Sequence, residues 1–396
     1  MKPFISFLYP TRDRPSFLER CLFSMSKLSF IDFEIIITDN SINKSALQVY
    51  ELYKIDTRIK YFSTGGNLSM SENYNYALSL AKGEYVSALT DKLFMKKNSL
   101  EIIYKIVKEH DLDLLNWRES TFALIDEDKS LEEGFIYTLP VKNDLIFYNP
   151  KEELKYLIDF KKHRVDDIEK YYRGKLFIGC AKREKIGDYL LGNKFFQIYA
   201  PDYTTRTILL SKIEKCAEIT LPLQSSIQTK TSNGARCAKY PDAAFQFFYE
   251  SDKFEIADKF FPIRGLYTSQ QNHVAGDYNH ILTKLESDLR VNEKNLMKTI
   301  PFDLLNVEWP SQRLKKEHWG LFFSHVKKLG LKLYLEIIFI VILKYYFKIQ
   351  LKRIRKGVVR LFASFKSSGQ NDLKLVNRKY FSSFAEAIEE MNKQII

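Results

Sequence analysis

Three polar segments in the first hundred residues are placed to bind a ligand together. Pro10-Thr11, Asp39-Asn40 and Thr90-Asp91 each follow a short apolar stretch. Their carboxylate, hydroxyl and amide groups can exchange hydrogen bonds with a polar ligand. Turn chemistry after a buried strand is also an ordinary structural pattern, so any one segment alone is weak evidence. Their shared position after a strand predicts one common site.

The elements that must position these segments alternate between strand and helix. Apolar and β-branched runs predict four strands, and helical spacing of apolar residues predicts helices between them. This alternation favours a largely parallel sheet that is covered on both faces, with ligands beyond the carboxyl ends of the strands. The predicted strands are Phe4–Leu8, Phe33–Thr38, Ile59–Phe62 and Tyr85–Leu89, and the predicted helices cover residues 17–25, 46–53 and 71–81.

The rest of the chain is less regular. Helices are predicted over 99–110, 151–160 and 204–212, apolar segments at 112–116, 175–181 and 195–200, and a largely helical pattern from Tyr240 to Leu296. We divide the chain into five segments: a ligand-binding half of the first domain (1–100), its second half (101–235), a helical extension (236–312), a basic amphipathic region (313–366) and a tail with one helix (367–396).

Several function classes lack their motifs here. The four cysteines form no CxxC pair and the six histidines no HExxH pair, so neither a zinc site nor a disulfide framework is indicated. No Walker loop, GxGxxG or GxSxG occurs either, which excludes the usual signatures of ATP hydrolysis, dinucleotide binding and α/β-hydrolase catalysis. No secretory signal is visible at the start, and we expect a cytoplasmic protein.

Three separated stretches resemble family 2 glycosyltransferases, namely ISFLYPTRDRPSFLERCL, FEIIITDNS and NLSMSENYNYALSLAKGEYVSALTD. The resemblance covers residues 1–100 well and 101–235 loosely. It implies a GT-A fold, which is Rossmann-like with a mostly parallel sheet flanked by helices, here with an α-helical C-terminal region. It also implies an inverting enzyme that moves a sugar from a nucleotide-diphosphate donor, with a UDP-sugar favoured, to a saccharide or lipid-linked saccharide acceptor in bacterial surface-polysaccharide synthesis.

The resemblance assigns donor-binding roles residue by residue. Pro10, Thr11 and Arg12 correspond to the loop around the nucleotide, and Asp39 to the aspartate that accepts a hydrogen bond from the base. Asn67 and Asn73 correspond to the segment beside ribose and diphosphate, where a helix N-terminus suits a phosphate. The simpler interpretation makes Asp39-Asn40 a turn and Ser71 a helix cap.

Asp91 resembles the carboxylate that holds a divalent cation, Mg²⁺ or Mn²⁺, on the donor diphosphate. Lys92 stands where the family usually has an acid, which argues against metal use. Three explanations stay open. The ammonium of Lys92 replaces metal charge at the leaving diphosphate; Asp91 alone holds the metal through waters while Lys92 points to solvent; or the protein is a catalytically inactive homologue that binds nucleotide sugar or glycan as an assembly partner.

Asp202 corresponds to the acceptor-side general base, because an incoming hydroxyl must lose a proton as it attacks. We expect it to follow an apolar strand and open a helix, a place where aspartate is also a common structural residue. Asp166 and Asp167 are weaker candidates that also suit a solvated helix start. Residues 232–234 suit either a ligand-closing loop or an ordinary turn.

The positive charge is concentrated near the C-terminus. Residues 313–366 carry fourteen Lys or Arg against two acids, which equals the whole net charge of +12. The seven apolar residues at 337–343 are too few for a spanning helix, which needs about 20. Basic and apolar residues in one helix favour an anionic membrane surface over nucleic acid. A core helix with a solvated basic face is the alternative. We expect a peripheral protein on the inner face of the cell membrane, with a polyisoprenoid-linked glycan as acceptor.

Overall fold

The computed structural model describes most of the chain. The described residues are 2–138, 143–161, 170–198, 200–229, 232–249, 258–343, 347 and 377–393. Asp166 and Asp167 lie outside them, as does most of the basic stretch that follows residue 343.

One sheet contains the eleven strands found in the described ranges. They are β1 (Ile5–Thr11), β2 (Phe33–Asp39), β3 (Ile59–Ser63), β4 (Tyr85–Ala88), β5 (Leu93–Met95), β6 (Leu114–Leu124), β7 (Gly134–Thr138), β8 (Leu145–Phe147), β9 (Gly179–Lys182), β10 (Cys216–Gln228) and β11 (Asn377–Phe381). The four strands predicted in the first hundred residues are all present.

The sheet is parallel in its first half and mixed in its second. Its main path runs β11-β7-β6-β9-β4-β1-β2-β3, and β10 adds to β6, β5 and β8. The strands β4, β1, β2 and β3 are parallel, whereas β9 is antiparallel to both β4 and β6. The predicted parallel arrangement therefore holds for β1 to β4, the strands of the first hundred residues on which it was based.

Helices cover the sheet and form a second layer. Those near the site are α1 (Pro15–Met25), α2 (Leu47–Tyr53), α3 (Met70–Leu80), α4 (Ser99–Glu109), α5 (Pro150–Ile158), α6 (Arg183–Asp188) and α7 (Pro201–Lys212). The later helices are Asn233–Lys239, Pro241–Tyr249, Gln270–Lys284, Glu293–Asn306, Gln312–Leu329, residues 331–343 and Phe384–Asn392. The predicted C-terminal helical region is thus present.

A separate apolar core joins the later helices to α5 and α7. Leu154 and Tyr203 belong to the same buried cluster as Tyr278, Leu296 and Ile337. The long helices after residue 269 consequently hold α7 in place beside the sheet. Among the described residues, no helix has both the length and the apolar character needed to cross a membrane. The predicted domain boundaries stay predictions.

Two sequence expectations differ from the structure. The long strand β10 was not predicted, and it includes Pro222 at a register irregularity against β6, where a residue without an N–H is tolerated. The apolar residues 195–198 do not form the strand that we expected before Asp202. They pack on α3 instead, because the amide of Asn75 accepts from Phe195 N and Phe196 N, each at 3.0 Å, and donates to Phe196 O at 2.8 Å.

Candidate active site

The three predicted strand-end residues meet at one edge of the sheet. Thr11 lies directly beside Asp39 in the β1–β2 register. The Thr11 hydroxyl donates to Asp91 Oδ2 at 3.2 Å, across eighty residues of chain. Thr11 O also accepts from Asn40 N at 2.9 Å. This convergence at the carboxyl ends of parallel strands is where open α/β sheets bind ligands.

Asp39 is buried and its carboxylate is fully used by the protein. Oδ1 accepts from Ser41 N at 2.9 Å and Ser41 Oγ at 2.6 Å, while Oδ2 accepts from Ala46 N at 3.0 Å and the Tyr61 hydroxyl at 2.9 Å. A carboxylate has about four acceptor positions, so all four are filled. A base N–H could bind only in exchange for one of these donors, and the base-binding role of Asp39 stays a prediction.

Asn40 ties the neighbouring loop to the same edge. Its side chain donates to Leu68 O at 2.5 Å and accepts from Leu68 N and Thr64 Oγ1 at 3.2 and 2.8 Å. Asn67, exposed on this loop, is therefore held beside the strand ends. Asn73 is buried and donates to Thr38 O at 3.0 Å, which fastens α3 to β2.

The start of α3 differs from the sequence prediction. Ser69, rather than Ser71, caps the helix, and Ser69 and Glu72 form a reciprocal capping box. The carboxylate of Glu72 occupies the first turn and accepts from Ser69 N at 3.1 Å. A carboxylate there already uses part of the positive potential at the helix start. This N-terminus is consequently less suited to a diphosphate than an uncapped one.

Asp91 lies among cations. Arg14 Nη1 is 3.7 Å from Asp91 Oδ1, and Lys92 is the next residue. Burial raises the pKa of Asp91, and the charges of Arg14 and Lys92 and the bond from Thr11 act in the opposite direction. Burial, with the nearby Arg14, lowers the pKa of Lys92, while Asp91 counteracts that effect.

Lys92 is directed into the protein. Its side chain is buried, and Nζ donates to Thr229 Oγ1 at 2.7 Å and lies 5.0 Å from the centre of the Phe17 ring. The explanation in which Lys92 points to solvent is therefore wrong. The charges of Asp91 and Arg14 both act on Lys92, so the three groups lie within electrostatic range of one another.

The side chains around Asp91 do not fit a divalent-cation site. In the described parts of the chain, no group of three or more His, Cys, Asp or Glu side chains is arranged so that it could hold a metal ion. Asp91 supplies one carboxylate, and that carboxylate is already engaged with Thr11 and Arg14. Mg²⁺ takes one or two carboxylates in a near-octahedral oxygen shell, and two adjacent cations oppose its binding. We therefore derive no step through a metal.

Asp202 is within electrostatic range of Tyr74, as Asp91 is. It is half-buried in the first turn of α7, which confirms the predicted helix start. Burial raises the pKa of the Tyr74 phenol, on α3, well above its ordinary value. The negative charges of Asp91 and Asp202 both raise that pKa further. The phenol of Tyr74 donates to Leu89 O at 2.9 Å. The base role of Asp202 stays a prediction.

The remaining predicted residues lie at the rim of this site. Pro10 is half-buried at the end of β1, and Arg12 is exposed next to it. Sequence reasoning missed Arg14, Tyr61 and Thr229, which contact Asp91, Asp39 and Lys92. The stretch TRDRP contains Arg14 as a second arginine, which could have marked it. Thr229 had no signal, because its contact with Lys92 spans 137 residues.

The family model for Glycosyl transferase family 2 matches residues 6–132. The chain carries a glycosyltransferase family 2 domain. The match spans β1 to β6, which includes every strand-end residue described above. Together with the helix-flanked α/β sheet, it confirms the predicted family and fold class.

Three curated relatives show similar stretches. The glycosyltransferase GlyG of Streptococcus pneumoniae is 24% identical over 143 residues, 34% of this chain and 48% of the relative. The GalNAc(5)-diNAcBac-PP-undecaprenol beta-1,3-glucosyltransferase of Campylobacter jejuni is 37% identical over 91 residues, which are 22% of this chain and 29% of the relative. The poly(ribitol-phosphate) beta-N-acetylglucosaminyltransferase TarP of Staphylococcus aureus is 23% identical over 308 residues, which are 75% of this chain and 88% of the relative. The chain spans half or less of the first two relatives.

Among solved structures, residues 1–349 of S. aureus TarS with UDP-GlcNAc are similar at a TM-score of 0.45 and 14% identity. The similarity covers 82% of this chain and 73% of that one.

Proposed function

We propose that the protein is an inverting glycosyltransferase. It moves a sugar from a nucleotide-diphosphate donor, with a UDP-sugar favoured, to a saccharide or lipid-linked saccharide acceptor in surface-polysaccharide synthesis. The observation that carries the proposal is the meeting of Thr11, Asp39 and Asp91 at one sheet edge inside a family 2 domain. The relatives named for a PP-undecaprenol-linked glycan and for poly(ribitol-phosphate) support acceptors of this general kind.

The charges around Asp91 suggest how the leaving diphosphate is stabilised. Arg14 and Lys92 place two positive charges beside Asp91, and the charge of Glu127 also acts on Lys92. Fixed charges at the place where negative charge develops are the main source of stabilisation in such transfers. On this proposal the Lys92 ammonium leaves or shares its bond with Thr229 when the donor binds. Asp202 takes the proton of the attacking hydroxyl as its oxygen bonds to the anomeric carbon, while the bond from that carbon to the diphosphate oxygen breaks and the nucleoside diphosphate leaves.

The C-terminal helix supports attachment to a membrane surface. In the helix over 331–343, Leu333 and Ile337 pack into the core. Leu331, Leu335, Phe339 and Ile342 form an outward stripe at helical spacing, and they are between 57% and 71% exposed. Apolar side chains in such a stripe, next to a strongly basic sequence, suit the headgroup region of an anionic leaflet. We propose a peripheral location on the inner face of the membrane.

Donor hydrolysis tests the proposed activity. The full chain is incubated with a panel of UDP- and GDP-sugars, with and without EDTA, and nucleotide release is measured. We expect hydrolysis of at least one UDP-sugar that survives EDTA and falls about 10²-fold in Lys92→Ala, the size of effect seen when one charge-stabilising donor is removed. Lys97→Ala, at an exposed lysine on the same segment, is the matched control.

Full sensitivity to EDTA with an unimpaired Lys92→Ala protein would remove the proposed charge compensation. Tight binding of a nucleotide sugar without any turnover across the panel would favour the inactive homologue.

A further inference from the structure

A pocket lies between α5, α7 and the helix Gln270–Lys284, and Tyr203, the residue after Asp202, lines it. Four tyrosines, three lysines, one arginine and one glutamine are among its lining residues. Its volume is about 60 Å³, several times the roughly 10–15 Å³ that one buried water requires. A small polar group of a ligand therefore fits. The wall residues used below are Tyr171, Tyr203, Tyr278, Lys175, Arg206 and Gln271.

Two buried donors in this wall have no hydrogen-bond partner among the described residues. They are Nε of Arg206 and Nε2 of Gln271, in side chains that are 4% and 1% exposed. The guanidinium of Arg206 is otherwise held in place, because Nη2 donates to Lys170 O at 2.9 Å. Buried donors are nearly always paired in folded proteins, so two unpaired ones in a single pocket indicate a missing acceptor.

The charges around the pocket favour an anion as that acceptor. Lys175 is buried with Nζ 3.2 Å from the centre of the Tyr171 ring, and Lys170 lines the pocket as well. Two acids interact with these lysines: Glu153 Oε2 is 3.7 Å from Lys170 Nζ, and the charge of Lys175 opposes the rise in pKa that burial causes at Glu119. Neither acid lines the pocket, and the charged residues that do line it are Lys161, Lys170, Lys175 and Arg206.

The pocket is coupled to the predicted base by one helix. Arg206 follows Asp202 by four residues on α7, so both side chains lie on the same helix face. The phenol of Tyr278 is close enough to both for each charge to act on its pKa. A ligand group held by Arg206 would therefore belong to a molecule that passes beside Asp202.

We propose that this pocket binds a phosphate or carboxylate group of the acceptor, through Arg206 and Gln271. The inference rests on the proposed glycosyl transfer. The tyrosine rings provide apolar walls, and the two buried donors fix the orientation of the charged group, as is usual in small-ligand pockets. An acceptor with a negative group would thus be preferred over a neutral one.

Titration of the full chain with inorganic phosphate and, separately, with glucuronate tests the proposal, with and without saturating UDP. Calorimetry measures the affinity. We expect at least one of the two anions to bind with UDP present, and we expect about tenfold or greater weakening in Gln271→Leu and Arg206→Lys, because each removes one charge-assisted bond. Arg313→Gln, at an exposed arginine on the helix Gln312–Leu329, should bind as the wild type does.

Gln271→Leu also separates binding from folding. It replaces an unpaired buried donor with an apolar group of similar size, so its melting temperature should not fall. Absence of binding by both anions, equal affinity in wild type and Gln271→Leu, or loss of all binding when UDP is present would overturn the proposal. Anion binding that depends on Gln271 in a chain without donor hydrolysis would instead refute the proposed function and leave the anion pocket in place.

Discussion

Replacement of Asp39 by asparagine tests whether this residue shapes the loop or is free for a nucleotide base. The new amide keeps the shape but turns one acceptor oxygen into an NH₂ group. One side of Asp39 faces Ser41 N and the other faces Ala46 N, and each side also has a hydroxyl that can rotate. One buried backbone N–H therefore loses its acceptor in either orientation, at a cost of about 1–3 kcal/mol.

The surviving bonds also lose the negative charge, which roughly halves their strength. We expect Asp39→Asn to lower the free energy of unfolding by about 2–4 kcal/mol in total. Urea denaturation measures this change, and an unchanged slope with denaturant keeps the comparison valid.

Asp13→Asn is the matched control, because it makes the same chemical change on an exposed side chain in the neighbouring loop. Its effect should stay within about 0.5 kcal/mol. A loss below about 1 kcal/mol in Asp39→Asn, together with a large fall in UDP affinity, would refute the loop-shaping role. It would show that the carboxylate is available to the base despite its four protein donors.

Three further predictions address catalysis, burial and the membrane surface. Asp202→Asn should lower kcat by about 10²–10⁴-fold with little change in donor KM, because it removes a general base but keeps the shape of the side chain. A fall in kcat of less than fivefold in steady-state kinetics contradicts that role. Lys96 is buried, and burial lowers its pKa to about 7. Lys96→Met should therefore raise the free energy of unfolding by at most about 4–5 kcal/mol below pH 7. This gain shrinks towards pH 10, because the lysine of the unfolded chain also loses its proton there. Urea unfolding at pH 6 and pH 9 measures this gain, and a larger gain at pH 9 than at pH 6 would refute the prediction. Phe339→Glu should reduce flotation of the protein with anionic vesicles. Ile55→Glu, at another exposed apolar residue, should not. Equal flotation of the two variants, or retention of the protein on DNA at matched salt, contradicts the membrane proposal.

The first four strands and the helices between them were predictable because their signals are local. The run FEIIITD is β-branched and ends in turn residues, and it forms β2 as expected. The helix α7 begins with Pro201 and Asp202, a common helix-start pattern. From such runs the parallel arrangement of these strands and the position of their ends followed.

The second half of the sheet was less predictable because its signals depend on distant partners. The strand β10 contains Pro222 and lacks a clear alternation, yet it is stabilised by parallel pairing with β6 about a hundred residues away. The apolar residues 195–198 resemble a strand in sequence, but the amide of Asn75 holds them on α3 instead. Tertiary packing overrides local preference in both cases.

Residue types and their spacing were sufficient to place Thr11, Asp39 and Asp91 at one sheet edge, since the ends of parallel strands meet wherever such a sheet forms. They could not show that Asp39 is saturated by Ser41, Ala46 and Tyr61, or that Lys92 turns inward to Thr229. Nor could they bring Arg206 and Gln271 into one pocket. Those properties are contacts between side chains far apart in the chain, and only the packing of the whole fold sets their distances.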